Sequence, residues 1–217
     1  MERADRILRR PGTARVSPEQ RSALWQRRRW LLGLPLGGLL LFGLGMVGWI
    51  GVNATMEATN SLEFCTSCHE MQAFVYPEYE QSAHFRNAAG VRAVCADCHV
   101  PEALGPKIVR KVQATFKEVP GHFMGVIDTR EEFEAHRPQM AKNVWARMRS
   151  NDSRNCRSCH SYEAMAQDMQ GRSASKKHSA EWRERFDDTC IDCHFGIAHE
   201  LPEGLTPADL ASADGGQ

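Results

Sequence analysis

Hydrophobic and polar positions are distributed unevenly along the 217-residue chain. Trp30 to Val52 is a run of 23 residues, mostly Leu and Gly, without a single charge. As a helix it is long enough to cross the ~30 Å hydrocarbon core of a bilayer. Trp30 and Trp49 lie near its ends, where aromatic rings favour the interface. Pro35 falls in its first turns, and the Gly33/Gly37 spacing would let two such spans pack as a homodimer. After Val52 the pattern changes to short apolar stretches with almost no strand-like alternation. Helical spacing returns locally. Pro106 suits a first helical position, and Ile108, Val112, Phe116 and Val119 form an apolar stripe over 105–119. Thr129-Arg-Glu-Glu132 reads as a capping box opening a helix that Pro138 should interrupt. A second stretch, Met140 to Arg149, should end before Asn151-Asp152-Ser153. The expected fold is mainly α: one N-terminal transmembrane helix, then a domain of short helices and loops.

Charge orients the chain. Residues 1–29 hold nine arginines against three acids, out of 27 basic and 27 acidic residues, so the remainder carries a net −6. Arg27, Arg28 and Arg29 directly precede the span and nothing comparable follows it. The positive-inside rule then gives a cytoplasmic tail over 1–29, an anchor over 30–52, a periplasmic domain over 53–205 and a disordered end over 206–217. The competing expectation is a cleaved signal peptide, but its apolar region would run only about 7–15 residues. The acidic body suits docking against a basic face, and no nucleic-acid partner is expected.

The chemistry is in the cysteines. All eight fall in four copies of one pattern: Cys65-Thr-Ser-Cys68-His69, Cys95-Ala-Asp-Cys98-His99, Cys156-Arg-Ser-Cys159-His160 and Cys190-Ile-Asp-Cys193-His194. Paired CxxC motifs also build zinc ribbons. A histidine directly after the second cysteine in all four has a chance on the order of one in a hundred thousand or less, and CxxCH is the attachment site of c-type haem. Two thiols bond the vinyl groups and the adjacent histidine reaches the iron. Four covalent haems would also supply the apolar bulk that 53–205 lacks.

The motifs form two pairs, His69 to His99 over 30 residues and His160 to His194 over 34. His84 lies eleven residues before Cys95 and His178 twelve before Cys190, so a duplicated two-haem unit is expected, with halves at 53–125 and 150–205. Four closed irons need eight axial ligands. The motifs supply four, the repeat singles out His84 and His178, and His199 is close enough behind His194 to serve a neighbouring haem instead. Met71 is the candidate for the last position, at the first haem. His136 falls in a charged run and should be solvated.

Closed irons pass electrons and bind substrate poorly, so the ligand count favours a wire over a haem enzyme acting on nitrite or hydroxylamine. A wire tethered by one helix is placed to draw on a lipid-soluble quinol (menaquinol or ubiquinol), and a passive tethered relay between soluble proteins is the third alternative. Lys107, Lys111 and Glu118 are related by steps of four and seven, which puts them on one helix face. Lys111 could hold a quinol oxygen and Glu118 take a proton.

These residues resemble the NapC/NirT family of membrane-anchored tetrahaem quinol dehydrogenases. The likeness runs from the anchor to Pro202 and rests on Ala93-Val-Cys-Ala-Asp-Cys-His-Val-Pro101, Ile127-Asp-Thr129, Glu134-Ala-His-Arg137, Ser150-Asn-Asp-Ser153 and Cys190-Ile-Asp-Cys-His-Phe-Gly-Ile-Ala-His199. The resemblance implies electron delivery from quinol to a soluble periplasmic cytochrome or reductase, nitrate reductase first, with nitrite and N- or S-oxide reductases as alternatives. It implies His84 on the fourth haem, His178 on the second and His199 on the third. It also implies Met71 on the first haem with His69 displaced from iron, and Lys111 and Glu118 at the quinol pocket. Pro120-Gly121-His122 departs by a one-residue shift, which leaves His122 between the quinol site and the first haem.

Overall fold

A computed structural model describes the backbone of residues 18–205, with side chains from residue 37 onward. The basic segment up to residue 17, the tail 206–217 and the side chains of Arg27 to Arg29, Trp30, Gly33 and Pro35 lie outside the described residues. The chain divides into two units, Met1–Thr55 and Met56–Gln217. In the first, the apolar run belongs to one long helix, α1 (Pro18–Ala58). Its stretch Gly37–Ala58 is long and apolar enough to span a membrane, with mean hydropathy 1.7.

The second unit is built of short helices, and no strand occurs among the described residues. In chain order they are α2 (Leu62–Cys65), a π turn (Met71–Val75) running into α3 (Tyr76–Glu80), α4 (Cys95–His99), α5 (Leu104–Gln113), a second π turn (Ala114–Glu118) running into α6 (Val119–Phe123), and α7 (Arg130–Ser150). Then come α8 (Arg154–Arg157), 3₁₀ turns at Tyr162–Ala164 and Gln167–Met169, α9 (Arg172–His178), α10 (Ala180–Arg185) and α11 (Cys190–Cys193).

The apolar core is thin. Among the described residues the buried hydrophobics are Phe74, Tyr79, Phe85, Ala96, Phe133, Trp145 and Ile191, fewer than a domain of this length ordinarily buries. Phe74 packs on Phe133 and Tyr79 edge-on to Phe85, while Trp145 and Ile191 gather Ala141, Met148 and Phe195. Polar ties do much of the remaining joining. Asn155 Nδ2 donates to the carbonyls of Asp97 and Val100, both at 2.9 Å, fastening α8 to α4. Ser153, buried in the left-handed region at φ 48°, has its Oγ 2.7 Å from Thr189 Oγ1 and accepts from Ile191 N, fastening α8 to α11.

One expectation changes here. The capping box forms, with Glu132 accepting from Thr129 N and Thr129 Oγ1 accepting from Glu132 N, but α7 runs straight through Pro138. The proline removes one backbone bond at a cost of about 3 kcal/mol. Long helix on both sides and the anchoring of Arg137 outweigh that. Arg137 forms a two-pronged pair with Glu78 (2.8 and 2.6 Å) and also donates to the Glu200 carbonyl. The two halves expected from the repeat lie within one compact unit, where Arg137 ties the connector to both and Asn155 ties the second half to the first.

Candidate haem-binding site

The cysteine pairs sit on or beside the shortest helices, and the sequence caps two of these identically. Asp97 Oδ2 accepts from Val94 N and Asp192 Oδ2 from Thr189 N, each at 2.7 Å. The repeated Asp-Cys-His is therefore partly a structural repeat, closing the first turn in front of its own motif. The eight thiols are free of disulfides, and neighbours in space follow motif order. A hydrogen bond from Cys95 lowers the Cys65 thiol to about 7 and pushes Cys95 up. Burial and the Asp97 carboxylate raise the Cys98 thiol, and the nearby Cys159 adds to it. A hydrogen bond from Cys156 lowers Cys190 to about 6. The first motif thus adjoins the second, the second the third, and the third the fourth.

Three histidine pairs face one another. Ring centres are 6.2 Å apart for His84 and His160, 6.2 Å for His99 and His199, and 5.9 Å for His178 and His194, the last pair nearly parallel at 16°. An imidazole nitrogen sits about 2 Å from a bound transition metal and about 1 Å from its own ring centre, so two imidazoles across one metal stand about 6 Å apart. Each pair joins a motif histidine to a non-motif one. Burial pushes His99 down to about 4, with His199, Arg147 and Arg110 adding to it, and burial likewise lowers His84 and His199. Neutral imidazole is the form that ligates. Nδ1 of His84, Nδ1 of His199, and Nε and Nη1 of Arg110 are buried without a protein partner among the described residues. Thin apolar core, paired rings and orphaned polar atoms together fit a fold laid around haem.

The pairing differs from the one the resemblance implies. His84 faces His160, not His194; His178 faces His194, not His99; His199 faces His99, not His160. Two physical reasons are visible. α9 ends at His178 and α10 turns the chain straight back to the fourth motif, so His178 stays local. The loop after His194 turns away at Gly196, whose φ of +73° brings it against Leu201, so that His199 reaches across to the second motif.

The first motif is organised differently. His69 Nε2, the nitrogen that would reach iron, lies 2.9 Å from Asp128 Oδ1, and the ring is half-exposed. His122 Nδ1 donates to Glu70 Oε1 at 2.6 Å, and the His69 and His122 rings are 5.7 Å apart. Burial pushes the Glu70 carboxyl up, but the His122 hydrogen bond and the nearby imidazole charges outweigh it and hold the group below its ordinary range. Cys68, Glu70 and His122 offer ligand atoms within 4.8 Å of one another. Met71 opens the first π turn beside them, partly buried. His136 is exposed, its ring donating to the Glu132 carbonyl.

Lys111 and Glu118 do not share a face. Lys111 Nζ donates to the carbonyl and Oγ1 of Thr59, both at 2.8 Å, and burial lowers its pKa while Cys65 raises it. Glu118 pairs instead with Arg110 Nη2 at 2.8 Å. The intervening π turn takes about one residue more than an α turn, which carries Glu118 about 100° round the axis, onto the side of Arg110. Lys107 reaches Glu57 at 3.9 Å. The expected apolar stripe is exposed, Phe116 by 74%. Arg110 and Gln170 (2.7 Å from His178 Nδ1) were not singled out from the sequence, and neither stands at a motif spacing that could have marked it; Asp128 entered only within Ile127-Asp-Thr129, with no role of its own.

A sequence model described as "NapC/NirT cytochrome c family, N-terminal region" matches residues 29–204. The chain is 53% identical over 176 residues to the "Denitrification system component NirT" of Stutzerimonas stutzeri, covering 80% of this chain and 86% of that protein. It is 50% identical over 182 residues to the "Cytochrome c-type protein NapC" of Escherichia coli K12, covering 83% and 90%. Against the "Cytochrome c-type protein TorC" of the same strain it is 43% identical over 169 residues, 76% of this chain and 43% of that one. No solved structure matches. A family match along nearly the whole described chain, with relatives at about half identity, means that this protein belongs to the NapC/NirT cytochrome c family, as a membrane-anchored electron-transfer protein carrying covalently bound haem c.

Proposed function

We propose that this chain carries four haems and oxidises quinol at the membrane, delivering the electrons to a soluble periplasmic reductase. The observation that carries the reading is the set of three facing histidine pairs, which would close three irons and leave only the first motif chemically distinct. When bound, haem supplies one-electron iron chemistry. The chain's residues supply the rest. His99 with His199 would hold the second iron, His160 with His84 the third, and His194 with His178 the fourth. Met71 would hold the first, because Asp128 keeps the His69 Nε2 engaged.

The first site is also where quinol chemistry is best supported. Lys111 lies near Cys65 and is bonded to Thr59, which directly follows α1. Its ammonium would bind and polarise a quinol oxygen. Quinol releases two protons, and two imidazole–carboxylate pairs stand at the first motif: His122 with Glu70 and His69 with Asp128. These are better placed as acceptors than Glu118, which Arg110 occupies. The arginines before the span support a cytoplasmic N-terminus and a periplasmic haem unit.

The partner favoured is the periplasmic nitrate reductase system, since a relative named NapC aligns over 90% of its length. Relatives named NirT and TorC keep nitrite and N- or S-oxide reductases as alternatives. The test is anaerobic reduction of the haem-loaded protein by a quinol analogue. Lys111→Ala should slow it at least tenfold while dithionite reduction and haem content stay unchanged. Equal quinol rates in variant and parent would refute the quinol site. Four bound haems by intact mass and a cytoplasmic N-terminus by protease protection complete the reading.

A further inference from the structure

Three non-motif histidines face a motif histidine, and His178 differs from the other two in how its second nitrogen is held. Nδ1 of His178 lies 2.7 Å from Gln170 Oε1, whereas Nδ1 of His84 and of His199 is buried with no partner. Gln167 Nε2 also donates to the His178 carbonyl at 3.1 Å. The turn Gln167–Met169 and the residue after it thus place two amides on one histidine, one on its ring and one on its backbone.

We infer that Gln170 is a positioning residue for the fourth haem, holding His178 in the tautomer and orientation that ligate iron and lowering that haem's potential. This rests on the ligation of His178 proposed above. An amide oxygen only accepts, so the ring nitrogen facing it carries the proton; a neutral imidazole has one N–H, and the Nε2 lone pair is left for the metal. Drawing that N–H toward an acceptor makes the ligating nitrogen a stronger donor, which stabilises ferric over ferrous iron. The near-parallel His178 and His194 planes, 16° apart, agree with a ring that is held rather than free to turn. No such acceptor touches the buried Nδ1 of His84 or His199, so the effect belongs to one haem.

The test is a spectroelectrochemical titration of purified, haem-loaded, full-length protein. Gln170→Leu removes the acceptor and should raise one midpoint potential; Gln170→Glu strengthens it and should lower the same one. Partners beyond the ligand typically change metal affinity by about tenfold, and tenfold on one oxidation state is 59 mV for a one-electron couple. The other three midpoints should stay fixed, with the spin state of every haem in Gln170→Glu the same as in the parent. Shifts of the same sign in both variants, or none in either, overturn the inference, because a merely structural role would not reverse sign with acceptor strength. Should Gln170→Leu lose haem, Gln170→Glu against the parent still decides the sign. His178→Met is the separate control on ligation: an unchanged spectrum and unchanged potentials would remove His178 from the iron, and the role of Gln170 with it.

Discussion

Arg137 and Glu78 are each only 9% exposed, and the guanidinium grips the carboxylate with two hydrogen bonds while also donating to the Glu200 carbonyl. Replacing Arg137 by Met leaves the Glu78 carboxylate desolvated, with the Glu200 N–H at 3.0 Å as its remaining strong donor. Breaking one side of a buried pair typically costs about 3–5 kcal/mol, whereas replacing both partners by apolar groups is often neutral. With a guanidinium slope of about 4 kcal/mol/M, the single variant should unfold about 1 M earlier. The Glu78→Met/Arg137→Met double should recover most of that loss. Because Glu200 follows His199 directly, the single variant should also perturb the second haem, visible as a high-spin component in the ferric spectrum. A midpoint within about 0.2 M of the parent, or a double variant as damaged as the sum of the singles, would refute the assignment of this pair as the principal tie between α3, α7 and the His199 loop.

The remaining predictions concern the same site. The angle between two axial imidazole planes sets the splitting of the iron d orbitals, so the 78° pair His84/His160 should give a highly anisotropic low-spin EPR signal and the 16° pair His178/His194 an ordinary rhombic one. Removing His178 should abolish the rhombic signal, and its survival would break the assignment. Gly196→Ala meets a φ of +73° and Leu201 at 3.0 Å; it should cost about 1–2 kcal/mol and loosen His199, read as high-spin haem in thermal melts followed at the Soret band. Glu132 is held below the ordinary carboxylate range by N–H groups of Asp128 and Thr129 and by the Thr129 hydroxyl. A depressed folded pKa contributes stability above the unfolded value of about 4.3 and loses it as pH falls through the folded one. Glu132→Gln should therefore flatten the acid limb of a stability–pH profile, and an unchanged limb would count against the cap.

The residues that chemistry demands were legible in the sequence; the way they meet was less so. CxxCH is a local pattern, so the cysteines and histidines of the four motifs could be read directly, as could the apolar span and the Thr129/Glu132 cap. The pairing of His84, His178 and His199 depends on how the chain returns through space, and an interval within a repeat does not encode that. Helix phase failed for a local reason. Seven residues from Lys111 to Glu118 mean one face only if every turn is α, and nothing in Ala114 to Glu118 announces a π turn. Pro138 failed for a tertiary one, because the ties that keep α7 whole come from Glu78 and Glu200, far away in sequence.

Those ties give the duplication a meaning the repeat alone lacks. His84 belongs to the first half and faces His160 of the second, while His199 belongs to the second and faces His99 of the first. Asn155 binds the third motif to the carbonyls of the second, and Arg137 joins the connector to both. With that pairing, neither the second nor the third iron would close within its own half. With so little apolar surface buried by the polypeptide, attachment at one half should be stabilised by the ligand the other half supplies, and folding and haem loading should proceed as one cooperative process. His178 and His194 sit together within the second half, so of the two motifs there only the fourth can close locally. Expressing residues 150–205 with the haem-attachment machinery should yield one low-spin haem, at the fourth motif, and a third motif that stays high-spin. Two low-spin haems in that fragment would show that the halves are self-sufficient and that the crossed pairing is wrong.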